Sequence, residues 1–376
     1  MIYLGVNTGT SADAVDCVAC EFVSGQQRFL HGVSVAIPGH LQKEIVSAVE
    51  AEALNVADCQ RMRSELTIIY AQAVNQLIGQ LGVSREKIAA IGLHGQTIHH
   101  RPDLAYPYSL QLEDAHQLMR AVQISVIDQF RATDIACGGQ GAPLIPVYHQ
   151  YLLSLAKHES GVFLNLGGIA NVTAITPEAV MGWDVGPANA LMDLWCQQQR
   201  GQPYDDQGRW AESGKVIDSL LEKWLRDAYF ARSLPKSTGK DYFTTQWIQQ
   251  YANNSWRAED VQATLCALTV ETIKRDIEKH AERPANHGIY VYGKGIHNLF
   301  LMSCLENALP SKVRSSEALG VAPEWLEGGL FAWLAYCHKQ SFPVDLTGVT
   351  GAHHPAVLGS CVQSSVSRAV ADAPAV

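Results

Sequence analysis

The middle of the chain reads Gly182-Trp183-Asp184-Val185-Gly186-Pro187-Ala188-Asn189-Ala190-Leu191-Met192-Asp193, and the other elements can be ordered around it. Asp184 precedes a Gly-Pro pair, where neither a strand nor a helix is expected to continue. From Ala190 onward the pattern is helical. Taken alone, Asp184 is interpreted as a residue that caps the helix or holds the turn. An acid between a strand end and a helix start can also point into a cleft, so the rest of the sequence decides.

Composition indicates an ordinary globular protein. The chain has 376 residues, of which 47% are hydrophobic and 17% charged, and this length allows two domains with separate cores. The net charge of -9 argues against a nucleic-acid or anionic-membrane partner. An anionic substrate remains compatible, because glycine loops and helix N-termini can bind phosphate in an acidic protein.

The targeting signals and cysteines favour a reduced cytoplasmic protein. The N-terminal residues lack a basic region and a long apolar run, so no signal peptide is expected, and no segment predicts a spanning helix. The nine cysteines are scattered, and Cys17 and Cys20 lie in a strand-like run without a second pair. We expect buried thiols there rather than zinc ligands.

The order of predicted elements repeats in the two halves of the chain. Each half begins with a strand hairpin and a third strand, followed by helices that alternate with two more strands. A glycine-rich loop at 134–143 predicts the domain boundary. We therefore expect an α/β protein with two similar domains that face a central cleft. The predicted ranges are 1–130 and 131–362, with a frayed tail at 363–376.

Three glycine turns each follow a predicted strand: Thr8-Gly9-Thr10, Leu166-Gly167-Gly168-Ile169 and Tyr292-Gly293-Lys294-Gly295. None fits the P-loop or the dinucleotide fingerprint, and hairpins need glycine in any case. Three such turns in a two-domain α/β chain nevertheless predict a phosphate cradle built from backbone N–H groups.

Acidic side chains are predicted at strand ends and at one helix start: Asp13, Asp16, Asp128, Asp184 and Glu327. A kinase needs one acid for Mg²⁺ and another that takes the proton of its nucleophile. The alternatives are that Asp16 pairs structurally and that Glu327 only lies on an amphipathic helix face.

Other polar residues lie where adjacent predicted strands end, as a sugar site requires. They are Gln96, Thr97, Arg131 and Asp134. The histidines at 94, 99, 100, 353 and 354 lack metal-site spacing and are interpreted as hydrogen-bonding or surface residues.

Together these stretches resemble the anhydro-N-acetylmuramic acid kinase family, a branch of the sugar kinase, heat-shock chaperone and actin superfamily. The similarity covers nearly the whole chain in the family's order. Its motifs are Gly9–Asp16, Gly92–Pro102, Arg131–Pro146, Leu164–Thr173, Asp184–Asp193, Ser237–Lys240 with Phe243, Asp260–Leu265, Glu317–Val321 and Thr350–Ala352. The resemblance implies two ribonuclease-H-like (actin-like ATPase) domains.

The resemblance also implies an activity. The expected enzyme uses ATP and Mg²⁺ to open the 1,6-anhydro ring of anhydro-N-acetylmuramic acid with water while phosphorylating O6, a step of peptidoglycan recycling. By the same resemblance, Asp184 is the base that activates the water. Family members commonly form homodimers.

The remaining expected site residues combine the resemblance, which implies Gly9 to Asp16, Thr97, Arg131 and Glu327, with the glycine turns and the polar strand ends described above. The expected nucleotide contacts are Gly9, Thr10, Ser11, Ala12, Asp13, Ala14, Val15, Asp16, Gly167, Gly168, Gly293, Gly295 and Asn298, with Asp13 and Asp16 also at the metal. The expected sugar contacts are Gln96, Thr97, Arg131, Asp134 and Glu327.

Several positions depart from the family pattern. Ala12 and Ala14 replace a leucine and a glycine of the first motif, and a positive φ at Ala14 would be strained. Lys294 interrupts a glycine run, where it could reach a phosphate or crowd the adenosine pocket. Gly328 and Gly329 follow Glu327 and weaken the helix start by roughly 1 kcal/mol each. A sugar- or nucleotide-binding regulatory protein with impaired catalysis is therefore the alternative, and a kinase or hydrolase of another anhydro-sugar or sugar acid is a third.

Overall fold

The computed structural model describes residues 1–9, 11–51, 53–239, 241–252, 255–309 and 311–364. Thr10, one of the expected nucleotide contacts, and most of the expected C-terminal tail, from residue 365, lie outside the described residues.

The described residues form strands and helices in mixed order. The strands are β1 Ile2–Thr8, β2 Ala14–Val23, β3 Gln26–Ala36, β4 Ile88–Arg101, β5 Tyr108–Leu112, β6 Val126–Asp128, β7 Gly161–Leu166, β8 Ile169–Ile175, β9 Val180–Pro187, β10 Ile289–Tyr292, β11 Val313–Ser315 and β12 Ser360–Val362. The helices are α1 Gly39–Glu50, α2 Val56–Leu81, α3 Ala115–Val122, α4 Phe130–Ala136, α5 Ile145–Leu155, α6 Asn189–Arg200, α7 Arg209–Ser213, α8 Asp218–Trp224, α9 Thr245–Gln249, α10 Ala258–His280, α11 Glu282–Ala285, α12 Leu299–Ala308 and α13 Leu326–Lys339.

The first sheet has the order β12-β6-β4-β1-β2-β3, and β5 pairs with β4 outside this path. Strands β1, β2 and β3 are antiparallel neighbours, whereas β4 runs parallel to both β1 and β6. Every residue of β1 is buried, which fits its central place in a sheet covered on both faces.

The second sheet has the order β11-β10-β7-β8-β9. Strands β7, β8 and β9 are antiparallel neighbours, and β10 runs parallel to β7 and β11. Five strands of the first sheet, β6-β4-β1-β2-β3, thus share their order and directions with the five strands of the second sheet, whereas β5 and β12 have no counterpart among its described strands. The prediction of two similar α/β domains is confirmed at the level of topology, and the cleft between them stays a prediction.

Local signals explain where the helices begin and end. Asn55 caps α2 because its side-chain oxygen accepts from the backbone amides of Ala57 and Asp58, and Gly82 ends the helix with φ of 62°. Asp114 caps α3 in the same way, through the amide of Gln117. None of the described helices combines the length and the apolar character that crossing a membrane would require.

The chain divides into two compact units at positions that differ from the predicted boundaries. One unit comprises 1–148 and 327–376, and the other comprises 149–326. The predicted ranges 1–130 and 131–362 are therefore wrong at both ends. Residues after 326 return to the first sheet, where β12 pairs with β6 and α13 packs on β1 and β4.

The return of α13 depends on glycines that let two backbones approach. A Cβ atom on Gly5 would overlap the carbonyl oxygen of Gly328 and would lie 2.6 Å from the amide nitrogen of Ala332. A Cβ on Gly92 would overlap the carbonyl oxygen of Phe331. Gly328 and Gly329 likewise leave room for Val18 and for the hydroxyl of Tyr148. The glycines that weaken the helix start on propensity alone are thus required by packing.

Several elements differ from the sequence prediction. The apolar run at 88–93 predicts a strand of that length, but β4 continues to Arg101, and β9 continues through the Gly-Pro pair to Pro187. The sequence pattern predicts one helix over about 211–227, whereas the structure has two shorter helices, α7 and α8. Helices α4 and α5 and strand β12 were not predicted, since their segments are short or lie in glycine- and proline-rich sequence.

Candidate functional site

Asp184 lies inside strand β9 and not at a strand end, which corrects the prediction. It pairs with Asn171, and the next pair joins Gly186 to Ala170, so Val185 forms a bulge. Such a bulge re-aims neighbouring side chains. A Cβ on Gly186 would lie 2.7 Å from the ring of Phe230, so glycine is needed there.

One segment of the second unit holds Asp184 from several sides. The backbone amide of Asp184 donates to the carbonyl of Lys236 at 3.1 Å, and the carbonyl of Asp184 accepts from the Tyr229 hydroxyl at 2.7 Å. Its carboxylate Oδ2 accepts from the Ser237 hydroxyl at 2.9 Å and from the Thr238 amide at 3.1 Å. Among the described residues, no donor reaches Oδ1. One oxygen is therefore fixed and the other is open to a water molecule.

The electrostatics of Asp184 combine opposing effects. Burial raises the pKa of its carboxyl group, and the Thr238 amide, the Ser237 hydroxyl and the Lys236 ammonium each oppose that rise. A general base works best when its pKa approaches the working pH while it stays mainly ionised. The raised pKa together with the three stabilising partners fits that requirement.

The glycine turns of the second unit pack against each other. The carbonyls of Gly167 and Gly168 accept from the backbone amides of residues 188 to 190 at the start of α6. A Cβ on Gly293 would overlap the Asn165 side chain, and a Cβ on Gly295 would lie 2.6 Å from that of Leu166. The two turns therefore meet at the end of β7, as a shared cradle requires.

Asn298 and Lys294 have different surroundings. The side-chain oxygen of Asn298 accepts from the Leu301 amide at 3.0 Å and so caps α12. Lys294 is exposed, so it does not fill the packed interior of the turn. The structure thus gives Asn298 a structural role besides the expected nucleotide contact.

The first hairpin of the first unit joins β1 to β2. The amide of Ala12 donates to the Gly9 carbonyl at 3.0 Å, and the Ser11 hydroxyl donates to Asp13 at 2.8 Å. The positive φ falls on Ala12, at 47°, and not on Ala14, which lies in extended strand. The concern about strain therefore moves from position 14 to position 12.

The carboxylates of this hairpin differ in exposure. Asp13 is exposed, Asp16 is partly buried opposite Asn7, and Val15 between them is fully buried. In the described part of the chain, no group of three or more His, Cys, Asp or Glu side chains could hold a metal ion. Mg²⁺ typically takes one or two protein carboxylates and completes its shell with phosphate oxygens and water. The hairpin fits a nucleotide-bound Mg²⁺ rather than a resident metal.

Four polar residues of the first unit form two hydrogen-bonded pairs. Arg131 donates through Nε to Nε2 of His94 at 2.8 Å, and Asn7 donates to the Glu327 carboxylate at 3.4 Å. Burial lowers the pKa of Arg131 to about 10, and the charges of Glu327 and Asp134 oppose that change. Burial, and then the Arg131 charge, lowers the pKa of His94 well below its usual range. His94 is thus a neutral acceptor that orients the guanidinium.

Thr97 and Gln96 lie further along β4. The Thr97 hydroxyl accepts from the Gln111 amide of β5 at 3.2 Å, and no described hydrogen bond joins it to Arg131 or Glu327. Gln96 is buried, and its Oε1 has no hydrogen-bond partner among the described residues. Gln96 therefore lies within the first unit rather than on its surface.

Asp134 has a structural role in this structure. Its two carboxylate oxygens accept from the Thr350 hydroxyl at 2.8 Å and from the Gly141 amide at 2.7 Å, and the residue is 1% exposed. Its side chain holds the glycine loop against the C-terminal segment. The prediction that it contacts sugar is therefore not supported by its geometry.

Sequence reasoning missed the residues that position these groups. Lys236 and Tyr229 hydrogen-bond the backbone of Asp184, Asp276 pairs with Lys236, and His94 orients Arg131. Nothing in their local sequence spacing predicts these roles. Ser237 and Thr238 belong to a quoted family motif, which was the available signal.

Comparison with known proteins gives a family match. A family model described as "Anhydro-N-acetylmuramic acid kinase" matches residues 1–364. A protein named anhydro-N-acetylmuramic acid kinase from Vibrio vulnificus (strain YJ016) is 38% identical over 361 residues, which cover 95% of this chain and 97% of that protein. A protein of the same name from Shewanella sp. (strain ANA-3) is 41% identical over 362 residues, with the same coverage.

Similarity to solved structures is weaker. The activator of the 2-hydroxyisocaproyl-CoA dehydratase from Clostridium difficile with bound ADPNP is 11% identical, with a TM-score of 0.46. The match covers 91% of this chain and 97% of that one. Because this TM-score is low, the fold is assigned from the two sheets described above.

Proposed function

Because the chain belongs to the anhydro-N-acetylmuramic acid kinase family, we propose that it opens the 1,6-anhydro ring of anhydro-N-acetylmuramic acid with water and phosphorylates O6. One sugar, one ATP and one water give N-acetylmuramic acid 6-phosphate and ADP. This is a step of peptidoglycan recycling, which we place in the cytoplasm.

The observation that carries the proposal is the asymmetric environment of the Asp184 carboxylate. Oδ2 is held by Ser237 and Thr238, whereas no described donor reaches Oδ1. A carboxylate held in this way accepts a proton from a water molecule at the free oxygen without first reorienting. We assign Asp184 the role of the base that takes the proton as the water adds to C1 of the sugar.

The glycine turns support the nucleotide part of the proposal. Gly9 and Ser11, with Asp13 and Asp16, would contact the phosphates and Mg²⁺, and the packed turns at Gly167–Gly168 and Gly293–Gly295 would contact the remaining nucleotide. When bound, ATP supplies the phosphoryl group and Mg²⁺ neutralises charge on its oxygens.

The sugar is assigned to residues of the first unit. Arg131, oriented by His94, is a buried cation that suits an acidic sugar, and Glu327 beside it accepts hydrogen bonds from hydroxyl groups. Thr97 offers its hydroxyl from the neighbouring hairpin. These assignments are consistent with an anhydro-sugar that carries a carboxylate.

The test is a sugar-dependent ATP turnover assay with product analysis. Wild-type protein should release ADP only when anhydro-sugar and Mg²⁺ are both present, and the product mass should exceed the sugar by one water and one phosphoryl group. Asp184→Asn should abolish turnover and keep ATP and sugar binding, while Asp218→Asn, at an exposed position of α8, should behave like wild type.

Other outcomes would point elsewhere. Sugar binding by calorimetry without any ADP release would favour the regulatory alternative. Near-normal turnover in Asp184→Asn would remove Asp184 from the base role.

A further inference from the structure

A buried cation, Lys236, lies behind Asp184 in the second unit. Its Nζ is 2.6 Å from Oδ2 of Asp276, and the two side chains are only 1% and 9% exposed. Asp276 also accepts from the indole N–H of Trp183 at 3.1 Å. The ammonium lies 5.3 Å from the ring centre of Tyr229. The ammonium group is therefore enclosed by the Asp276 carboxylate and the Tyr229 ring.

Such a pair needs an explanation other than stability. Removing two charges from water is costly, and buried ion pairs are often no more stabilising than apolar residues of the same size. Trp183 is the residue immediately before Asp184, so Asp276 fixes both Lys236 and the neighbour of Asp184.

The backbone at Lys236 continues this connection. Its carbonyl accepts from the Asp184 amide at 3.1 Å. The next two residues, Ser237 and Thr238, supply the two donors on Oδ2 of Asp184. Anchoring the Lys236 side chain thus anchors the donors that orient the carboxylate.

Among the described residues, the charged and titratable groups that act on Asp184 or on its neighbours are Lys236, Asp276, Tyr229, Arg232 and His280. Lys236 favours the ionised form of Asp184, and Asp276 and Tyr229 interact electrostatically with each other. His280 packs edge-on against Trp183, and burial lowers its pKa, so it is neutral near pH 7. Tyr229 donates to the Asp184 carbonyl and stays protonated. Lys236 is therefore, of the residues that the structure describes, the cation that acts on Asp184.

We propose that Lys236, fixed on Asp276, is a positioning residue for Asp184 that holds the Ser237 and Thr238 donors in place and keeps the carboxylate ionised. This inference rests on the proposed function of Asp184 as a base. It assigns Lys236 no contact with substrate.

The test compares the pH dependence of wild type with that of the double variant Lys236→Met/Asp276→Asn. Replacing Lys236 alone would leave Asp276 buried and unpaired, and the double change avoids that penalty. The asparagine oxygen still accepts from Trp183. We expect the acid limb of kcat/KM to move to higher pH by about one unit, with kcat/KM reduced about tenfold on the acid side of that limb. The KM for ATP should be unchanged.

The control is Lys223→Met, an exposed lysine of α8 in the same unit, which should leave the pH profile unchanged. A folded double variant with the wild-type acid limb would overturn the proposal. A uniform loss of activity at every pH would also overturn it, because that is the signature of a purely structural defect.

A second measurement does not depend on activity. Carbon-13 NMR of protein labelled at the aspartate carboxyl carbons, with Asp184→Asn used to assign the signal, reports the ionisation of Asp184 directly. We expect its midpoint to rise in the double variant. An unchanged Asp184 midpoint in the double variant would reject the inference. If that midpoint rises but the wild-type protein shows no sugar-dependent turnover, only the proposed function is rejected.

Discussion

Gly5 of β1 lies directly beneath Gly328 of α13, so close that a single added methyl group would overlap the Gly328 carbonyl oxygen. Both partners at this contact are backbone, so neither can move aside as a flexible side chain could. The contact brings the C-terminal helix, with Glu327 in its first turn, onto the first sheet.

We expect Gly5→Ala to lower the free energy of unfolding of the first unit by about 3 kcal/mol, since overpacking against backbone costs roughly 1–3 kcal/mol or more. Chemical denaturation followed by circular dichroism measures this. The matched control is Gly79→Ala on the exposed face of α2, where nothing lies within 4 Å and alanine should stabilise slightly. Equal effects of the two substitutions would contradict the packing argument.

Ser237→Ala should raise the pKa of Asp184 further, because it removes one of the partners that oppose the effect of burial. The ionised base is lost as the pH falls through this pKa, so the acid limb of kcat/KM should move to higher pH. Losing a hydrogen bond to a charged group costs about 1.5 kcal/mol or more, so kcat/KM on the acid side of that limb should fall about tenfold. Ser237→Thr, which keeps the hydroxyl, should restore the activity. If it does not, the Ser237 hydroxyl is not the group that lowers the pKa of Asp184.

Arg131→Gln should raise the KM for the sugar about tenfold or more and leave the KM for ATP nearly unchanged, because a charged hydrogen bond contributes about 1.5–3 kcal/mol. Initial rates measured at varied sugar and at varied ATP separate the two effects. Arg120→Gln, at an exposed position of α3, is the control. An equal rise in both KM values would argue against a sugar-specific role.

Glu113→Gln should stabilise the protein at alkaline pH. Burial, and then the charge of Asp128, raises the pKa of Glu113 from 4.5 to about 9. An acid whose pKa is higher in the folded than in the unfolded state contributes its full stability below its unfolded-state pKa. That stability is lost as the pH rises toward its folded-state pKa. The amide does not titrate and can still accept the hydrogen bond that Gln129 donates at 2.5 Å.

We therefore expect the variant to exceed wild type in unfolding free energy by on the order of 5 kcal/mol at pH 8.5, because about four pH units separate that pH from the unfolded-state pKa, with the difference vanishing near pH 4. Urea denaturation at both pH values measures it, and Glu306→Gln at an exposed position of α12 is the control. A gain of the same size at both pH values would show that titration is not the cause.

Much of the secondary structure could be predicted because its signals are local. The apolar runs at 2–8 and 161–166 predict strands, and β1 and β7 occupy those residues. The caps at Asn55 and Asp114 are side-chain hydrogen bonds within one turn. The repeated order of elements predicted two similar domains, and the two sheets confirm it. The family motifs singled out Asp184 and Arg131.

The amino-acid sequence by itself determined the elements, their repetition and the family, because hydrophobic periodicity, glycine turns and motifs are properties of short segments. Only the tertiary structure decided the domain boundary, which depends on the backbone contact between Gly5 and Gly328. It also showed that Asp134 pairs with Thr350, and that Lys236 pairs with Asp276 behind Asp184. The partners of a buried polar group are chosen by the folded chain, since burial makes each such group take whichever donor or acceptor the packing brings within reach.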